Sequence, residues 1–140
     1  MFNRPFDNQS YIRIRLETEA KLHIQEKIKN KEFELVWSYI LDFENSQNPF
    51  DERRNVIQNW KQIASKDVEE NEILLKKAHE MTALGVKPKD ALHIASAIVG
   101  EAVYFLTTDD RLQRKLADFD EIRVLNPIDF IRGHDDDSNR

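Results

Sequence analysis

The sequence contains no cysteine, and its 140 residues include only three glycines and four prolines. The missing thiols exclude disulfides and thiolate-bound zinc alike. The glycines are too scattered to form a linker, and neither a repeat nor a low-complexity stretch divides the chain. No apolar run approaches the ~18 residues that a membrane helix requires, and Met1 to Asp7 lacks the apolar stretch of a signal peptide. The expectation is a cytoplasmic protein with no membrane partner. Residues 1–132 read as one domain, large enough to hide roughly two-thirds of its surface without staples. From Gly133 to Arg140 almost nothing is apolar, so residues 133–140 read as a disordered acidic tail.

The charges are unevenly distributed. Overall, 21 bases against 26 acids give −5. Residues 1–31 hold seven bases and four acids, hence +3, whereas residues 32–140 hold fourteen bases and twenty-two acids, hence −8. Such asymmetry suits a phosphate-attracting face beside an acidic cleft, and it suits an ordinary solvated helix equally.

Ile12, Leu16, Ala20, Ile24 and Ile28 recur every four residues and predict a long amphipathic helix ending at Asn30 and Lys31. Phe33 to Trp37 reads as a short buried strand, with Ser38 as the cap of a helix that stops before Pro49. Helices are expected from Asp51 to Ile63 and from about Glu69 to Leu84, the latter closed by Gly85. Pro88 opens and Gly100 closes a helix that is apolar nearly all round and so should be central. Ala102 to Leu106 and Ile122 to Leu125 read as strands, separated by a helix containing Leu112 to Leu116. Asn126-Pro127 opens a last helical turn through Phe130. Short apolar strands alternating with helices predict an α/β domain with a mainly parallel sheet, whose site lies at the carboxyl ends of its strands.

That rule directs attention to Glu44, Asp90, Asp109 and Asp110. Carboxylates gathered in one cleft repel one another unless a cation lies between them, and an all-oxygen set suits Mg2+ or Mn2+ rather than zinc. Such an ion activates water and neutralises a phosphoryl group under attack. Each acid also has a plainer role open to it. Asp90 complements a helix dipole, Glu44 is surface charge, and Asp109 caps the helix containing Leu112. His93, one turn after Asp90, is either an orienting group or a hydrogen-bonded structural histidine. His23 and His79 read as surface residues, and Trp37 and Trp60 as core.

Leu41-Asp-Phe-Glu44, Asp90-Ala-Leu-His-Ile-Ala95 and Phe105-Leu-Thr-Thr-Asp-Asp110, in that order, resemble the PIN-domain nucleases. Asn3-Arg-Pro-Phe-Asp7 resembles a segment of one bacterial branch, so the likeness spans Asn3 to about Phe130. The resemblance implies a three-layer α/β/α fold and an endoribonuclease dependent on Mg2+ or Mn2+, often the toxin of a toxin-antitoxin pair. It implies an RNA substrate, an antitoxin protein as partner and, in many toxins, a homodimer. Glu44, Asp90 and Asp109 become its catalytic metal-site acids, Asp110 a fourth participant, and Thr107 and His93 supporting groups.

The chain departs from the family pattern in one respect. Relatives begin with a central apolar strand that ends in a metal-binding Asp, and no counterpart is found here; Asp7 does not replace it. Without that strand the sheet should present open edges and an apolar slot, and the metal site should lack a ligand. The expectation is that Met1 is an internal methionine and that the strand lies upstream, which in-frame codons before Met1 would reveal. As it stands, the chain is expected to be an impaired ribonuclease or a catalytically inactive PIN-like module that binds RNA or protein.

Overall fold

The computed structural model describes residues 4–138, and the side chains of residues 10–134 among them. Helix α1 spans Arg4–Lys29 and is followed by strand β1 (Val36–Ser38). Helices α2 (Tyr39–Ser46) and α3 (Asp51–Gln62) lead to strand β2 (Lys66–Val68). Next come α4 (Glu72–Ala83), α5 (Pro88–Val99) and β3 (Tyr104–Leu106), then α6 (Asp110–Lys115), β4 (Arg123–Leu125) and α7 (Pro127–Ser138). The chain is therefore α/β, with helices predominating.

The strands form two separate ladders, each of two parallel strands. Val36, Trp37 and Ser38 of β1 pair with Lys66, Asp67 and Val68 of β2. Tyr104, Phe105 and Leu106 of β3 pair with Arg123, Val124 and Leu125 of β4. Among the described residues no bond joins one ladder to the other. Strand β2 was not apparent in the sequence, because two of its three residues are charged and only Val68 is buried.

Helix α5 is central, as its composition predicts. Every residue from Ala91 to Gly100 is at least half-buried, and Ala91, Ile94 and Ala95 are fully enclosed. Leu74, Ala78 and Met81 of α4 pack on it, and Val86, Leu112, Leu116, Ile122 and Val124 complete the core. Pro88 occupies its first turn and Gly100 its carboxyl cap. A methyl group on Gly100 would stand 2.6 Å from Val36 Cγ1 and 2.9 Å from Val68 Cγ2, so the absence of a side chain lets α5 approach the first ladder. Gly85 adopts φ +91° after α4, the left-handed geometry expected of a glycine stop.

Helix α1 packs through a different stripe from the one its apolar period suggests. Glu17, Ala20 and Ile24 are buried, whereas Ile12 and Leu16 are 54% and 46% exposed. A step of four residues over-rotates by about 40° per repeat, so residues eight apart leave the contact line that a step of three followed by four maintains. Helix α7 passes through Gly133, where the sequence suggests that a tail begins. The His134 ring continues its packed face, lying 4.8 Å edge-on from Phe33, while Phe130 lies 5.2 Å from Phe33. The side chains of Asp135 to Asp137 lie outside the described set.

Candidate functional site

Glu44 and the start of α5 form one cluster. Glu44 lies in the second turn of α2, directly after β1, and its Oε1 meets Nε2 of His93. Lys89 Nζ stands 3.7 Å from the other carboxylate oxygen. Glu44 thus rests against the first two turns of α5, the stretch that contains Asp90. His93 is largely shielded, with its side chain 17% exposed, against 33% for Glu44. A hydrogen bond to a carboxylate is compatible with both roles left open by the sequence, an orienting group and a hydrogen-bonded structural histidine.

The acids beyond β3 are engaged elsewhere. Asp109 caps α6, accepting from the backbone N–H groups of Arg111 and Leu112 at 2.9 and 3.2 Å. Thr107 Oγ1 in turn accepts from the Asp109 N–H at 3.1 Å, which fixes the turn from strand to helix. Asp110 is held by α1: both terminal nitrogens of Arg13 donate to it, at 2.7 and 2.6 Å. This hydrogen bonding lowers the Asp110 carboxyl below its ordinary value and raises the Arg13 guanidinium.

Of these residues, Glu44 lines a cavity of about 600 Å³. Glu44, Asn45 and Leu41 of α2 line it on one side and Leu106, one residue before Thr107, on another. Ile24 and Ile28 of α1 and Trp60 of α3 cover it. Trp37 is buried, and its indole N–H donates to Asp42 at 2.9 Å, while Lys61 reaches the other oxygen of Asp42 at 3.0 Å. That hydrogen bond is the main reason the Lys61 ammonium is raised above its ordinary value. Trp60 is half-buried beneath Lys29, whose Nζ lies 5.2 Å from its ring centre. His23 and His79 are exposed.

Four acids singled out from the sequence therefore fall into separate settings. Glu44 lies against the first turns of α5 through His93 and Lys89, while Asp109 caps its own helix and Asp110 pairs with Arg13 of α1. Among the described residues, no group of three or more His, Asp or Glu side chains is close enough to hold a metal ion. In this arrangement the donors expected for Mg2+ or Mn2+ do not form a shared set.

Sequence reasoning missed several residues of this region. Arg13 contacts an acid 97 positions away, and nothing local marks it. Glu17 is only 8% exposed and accepts from Asn126 Nδ2 at 2.5 Å, with Arg13 Nε at 3.4 Å. Asn126 also caps α7, its Oδ1 accepting from the N–H of Ile128 at 2.8 Å. Its place before Pro127 was a visible signal for that capping role. The segment Asn3 to Asp7 lies outside the described side chains. Among the described residues no helix is long and apolar enough to cross a membrane. Comparison with protein-family models gives no match, and comparison with curated proteins gives none either.

Proposed function

We propose that this chain is an endoribonuclease of PIN type, with a three-layer α/β/α plan. The observation that carries the reading is the meeting of Glu44 with the Asp90-bearing turns of α5, at the rim of a cavity that also reaches the end of β3. This arrangement supports the residue order from which the resemblance is drawn. Asp90 is the acid with no competing ion pair or hydrogen bond among the described contacts, so it is the one to test first. The chain's own residues orient and restrain the site: His93 fixes Glu44, and Thr107 fixes the turn bearing Asp109. The substrate is RNA, the metal Mg2+ or Mn2+ and, if the protein is a toxin, the partner an antitoxin chain.

The experiment is RNA cleavage with added Mn2+, comparing the native chain with Asp90→Asn and following folding by circular dichroism. Cleavage that Asp90→Asn removes without loss of helicity supports the reading. Equal cleavage by both proteins overturns the assignment of Asp90.

A second reading is a PIN-like interaction module without catalysis. It is favoured by the capture of Asp110 by Arg13 and by the apolar residues that α1 leaves exposed, among them Tyr11, Ile14 and Leu22 at 60–68%. A homodimer through α1 would cover them. Absence of Mn2+ binding in calorimetry, together with a dimer by sedimentation, selects this reading.

A further inference from the structure

The walls of the cavity are predominantly apolar. Ile24 and Ile28 come from α1, Leu41 from α2 and Ile57 from α3, and both tryptophans of the chain, Trp37 and Trp60, also line it. Helix α3 has no buried residue among its twelve, so its apolar side is left to this space rather than to the core. The volume of about 600 Å³ falls within the roughly 300–1,000 Å³ of small-molecule sites, and water offers little to so apolar a wall.

Two polar side chains in the wall lack partners. Asn45 is only 5% exposed; its Nδ2 donates to Arg54 C=O at 3.2 Å, while its Oδ1 is buried without a hydrogen-bond donor. A buried acceptor left in that state is destabilising, and an occupant carrying an N–H would relieve it. Asn48, one turn on, is the converse: its Oδ1 accepts from Phe50 N–H at 3.1 Å, and among the described contacts its Nδ2 donates to nothing. The wall thus offers one acceptor and one donor, held a turn apart by the 3.0 Å bond from Asn48 N–H to Asn45 C=O. Its charges are divided by side. Lys21 lines the α1 side, and Lys29, two turns on, holds its Nζ 5.2 Å from the centre of the Trp60 ring, while the neighbouring ion pairs of α1 use Arg15 and Lys27 instead. The acid in the wall, Glu44, is met by His93 and Lys89. The α1 side is therefore open to an anion.

We propose that this cavity is a binding site for a purine nucleotide, with the base among the apolar side chains of α1, α2 and α3, its polar edge at Asn45 Oδ1 and Asn48 Nδ2, and its phosphate at Lys21 and Lys29. A purine edge presents an N–H beside a ring-nitrogen or carbonyl acceptor, the complement of those two side chains. Its flat aromatic body suits a wall that carries two indoles. A fatty acid would supply the apolar body and the anion but no donor for Asn45, and an aliphatic amine would supply the donor but no anion for the lysines. A free nucleotide and a nucleotide within RNA offer the same chemistry. The site goes beyond the nuclease reading: a mononucleotide has no internucleotide bond to cut, so its binding and the cleavage of RNA succeed or fail independently.

The test titrates the whole 140-residue chain with AMP and GMP and, as controls, with adenosine, ribose 5-phosphate and decanoate. Because Trp37 and Trp60 both line the cavity, their fluorescence reports its filling. The expected result is quenching by both nucleotides, with an affinity about tenfold or more above those of ribose 5-phosphate and decanoate. Asn45→Leu should weaken AMP roughly three- to tenfold. Lys21→Gln, at an exposed position, should weaken AMP by a similar factor and leave adenosine unchanged, and AMP binding should fall as salt is raised. A tetra-adenylate that binds more tightly than AMP assigns the site to RNA, and one that binds no more tightly assigns it to the free nucleotide. No quenching by either nucleotide, affinity no greater than that of decanoate, or AMP binding untouched by Lys21→Gln overturns the proposal.

Discussion

Arg13 in α1 and Asp110 at the start of α6 face each other as a two-pronged ion pair, with guanidinium nitrogens 2.6 and 2.7 Å from the two carboxylate oxygens. A planar fork meeting a planar carboxylate is the strongest geometry available to such a pair. Both side chains are nearly half exposed, at 45% and 48%, so solvent screens the attraction and the energetic contribution is small. Its consequence is positional. The long first helix is tied to the carboxyl end of β3, beside an acid that the sequence suggests for metal binding.

Arg13→Gln should return the Asp110 carboxyl towards its ordinary value, because the lowering comes first from the Arg13 hydrogen bonds and then from its charge. A depressed carboxyl pKa contributes stability that is complete above the unfolded value and is lost as pH falls through the folded one. The difference in melting temperature between the native chain and Arg13→Gln should therefore be small at neutral pH and vanish in strong acid. Carboxylate titration by NMR checks the first statement and thermal melts across pH the second.

Asp109 separates a capping role from a charge role. Asp109→Ala removes the acceptor for two N–H groups of α6 and should cost about 1 kcal/mol. Asp109→Asn keeps the cap and should be nearly neutral in stability. Chemical denaturation of both variants gives the comparison. If Asp109→Asn also spares stability while abolishing Mn2+-supported cleavage, its charge serves chemistry.

Gly100→Ala should be destabilising, by about 1–3 kcal/mol, because the new methyl meets Val36 and Val68 within 3 Å. The backbone there has φ −77°, so strain of a left-handed turn is not the cause. Pairing the change with Val36→Ala should recover part of the loss, which a double-mutant cycle in urea would measure.

Asn126→Ala should cost about 2 kcal/mol or more. It removes the acceptor that caps α7 and the donor that satisfies the buried Glu17 carboxylate. Asn126→Asp keeps the cap but places a second carboxylate against Glu17, so it should be destabilised increasingly as pH rises through the carboxylate range. Melts at acidic and neutral pH distinguish the two contributions.

The sequence alone determined what depends on neighbours along the chain. The helical character of α1, the apolar circumference of α5, the glycine stop at Gly85 and the cap at Asp109 follow from spacing and backbone preference, and each is found in place. Only the tertiary structure decided what depends on distant partners. It selected the packed stripe of α1 and made a strand of Lys66–Val68 by pairing it with β1. It also matched Glu44 with His93 across 49 positions, Asp110 with Arg13 across 97 and Glu17 with Asn126 across 109. A carboxylate looks the same in sequence whether it will hold a cation, cap a helix or meet an arginine. Which of these it does is set by the donor that folding brings within about 3 Å of it.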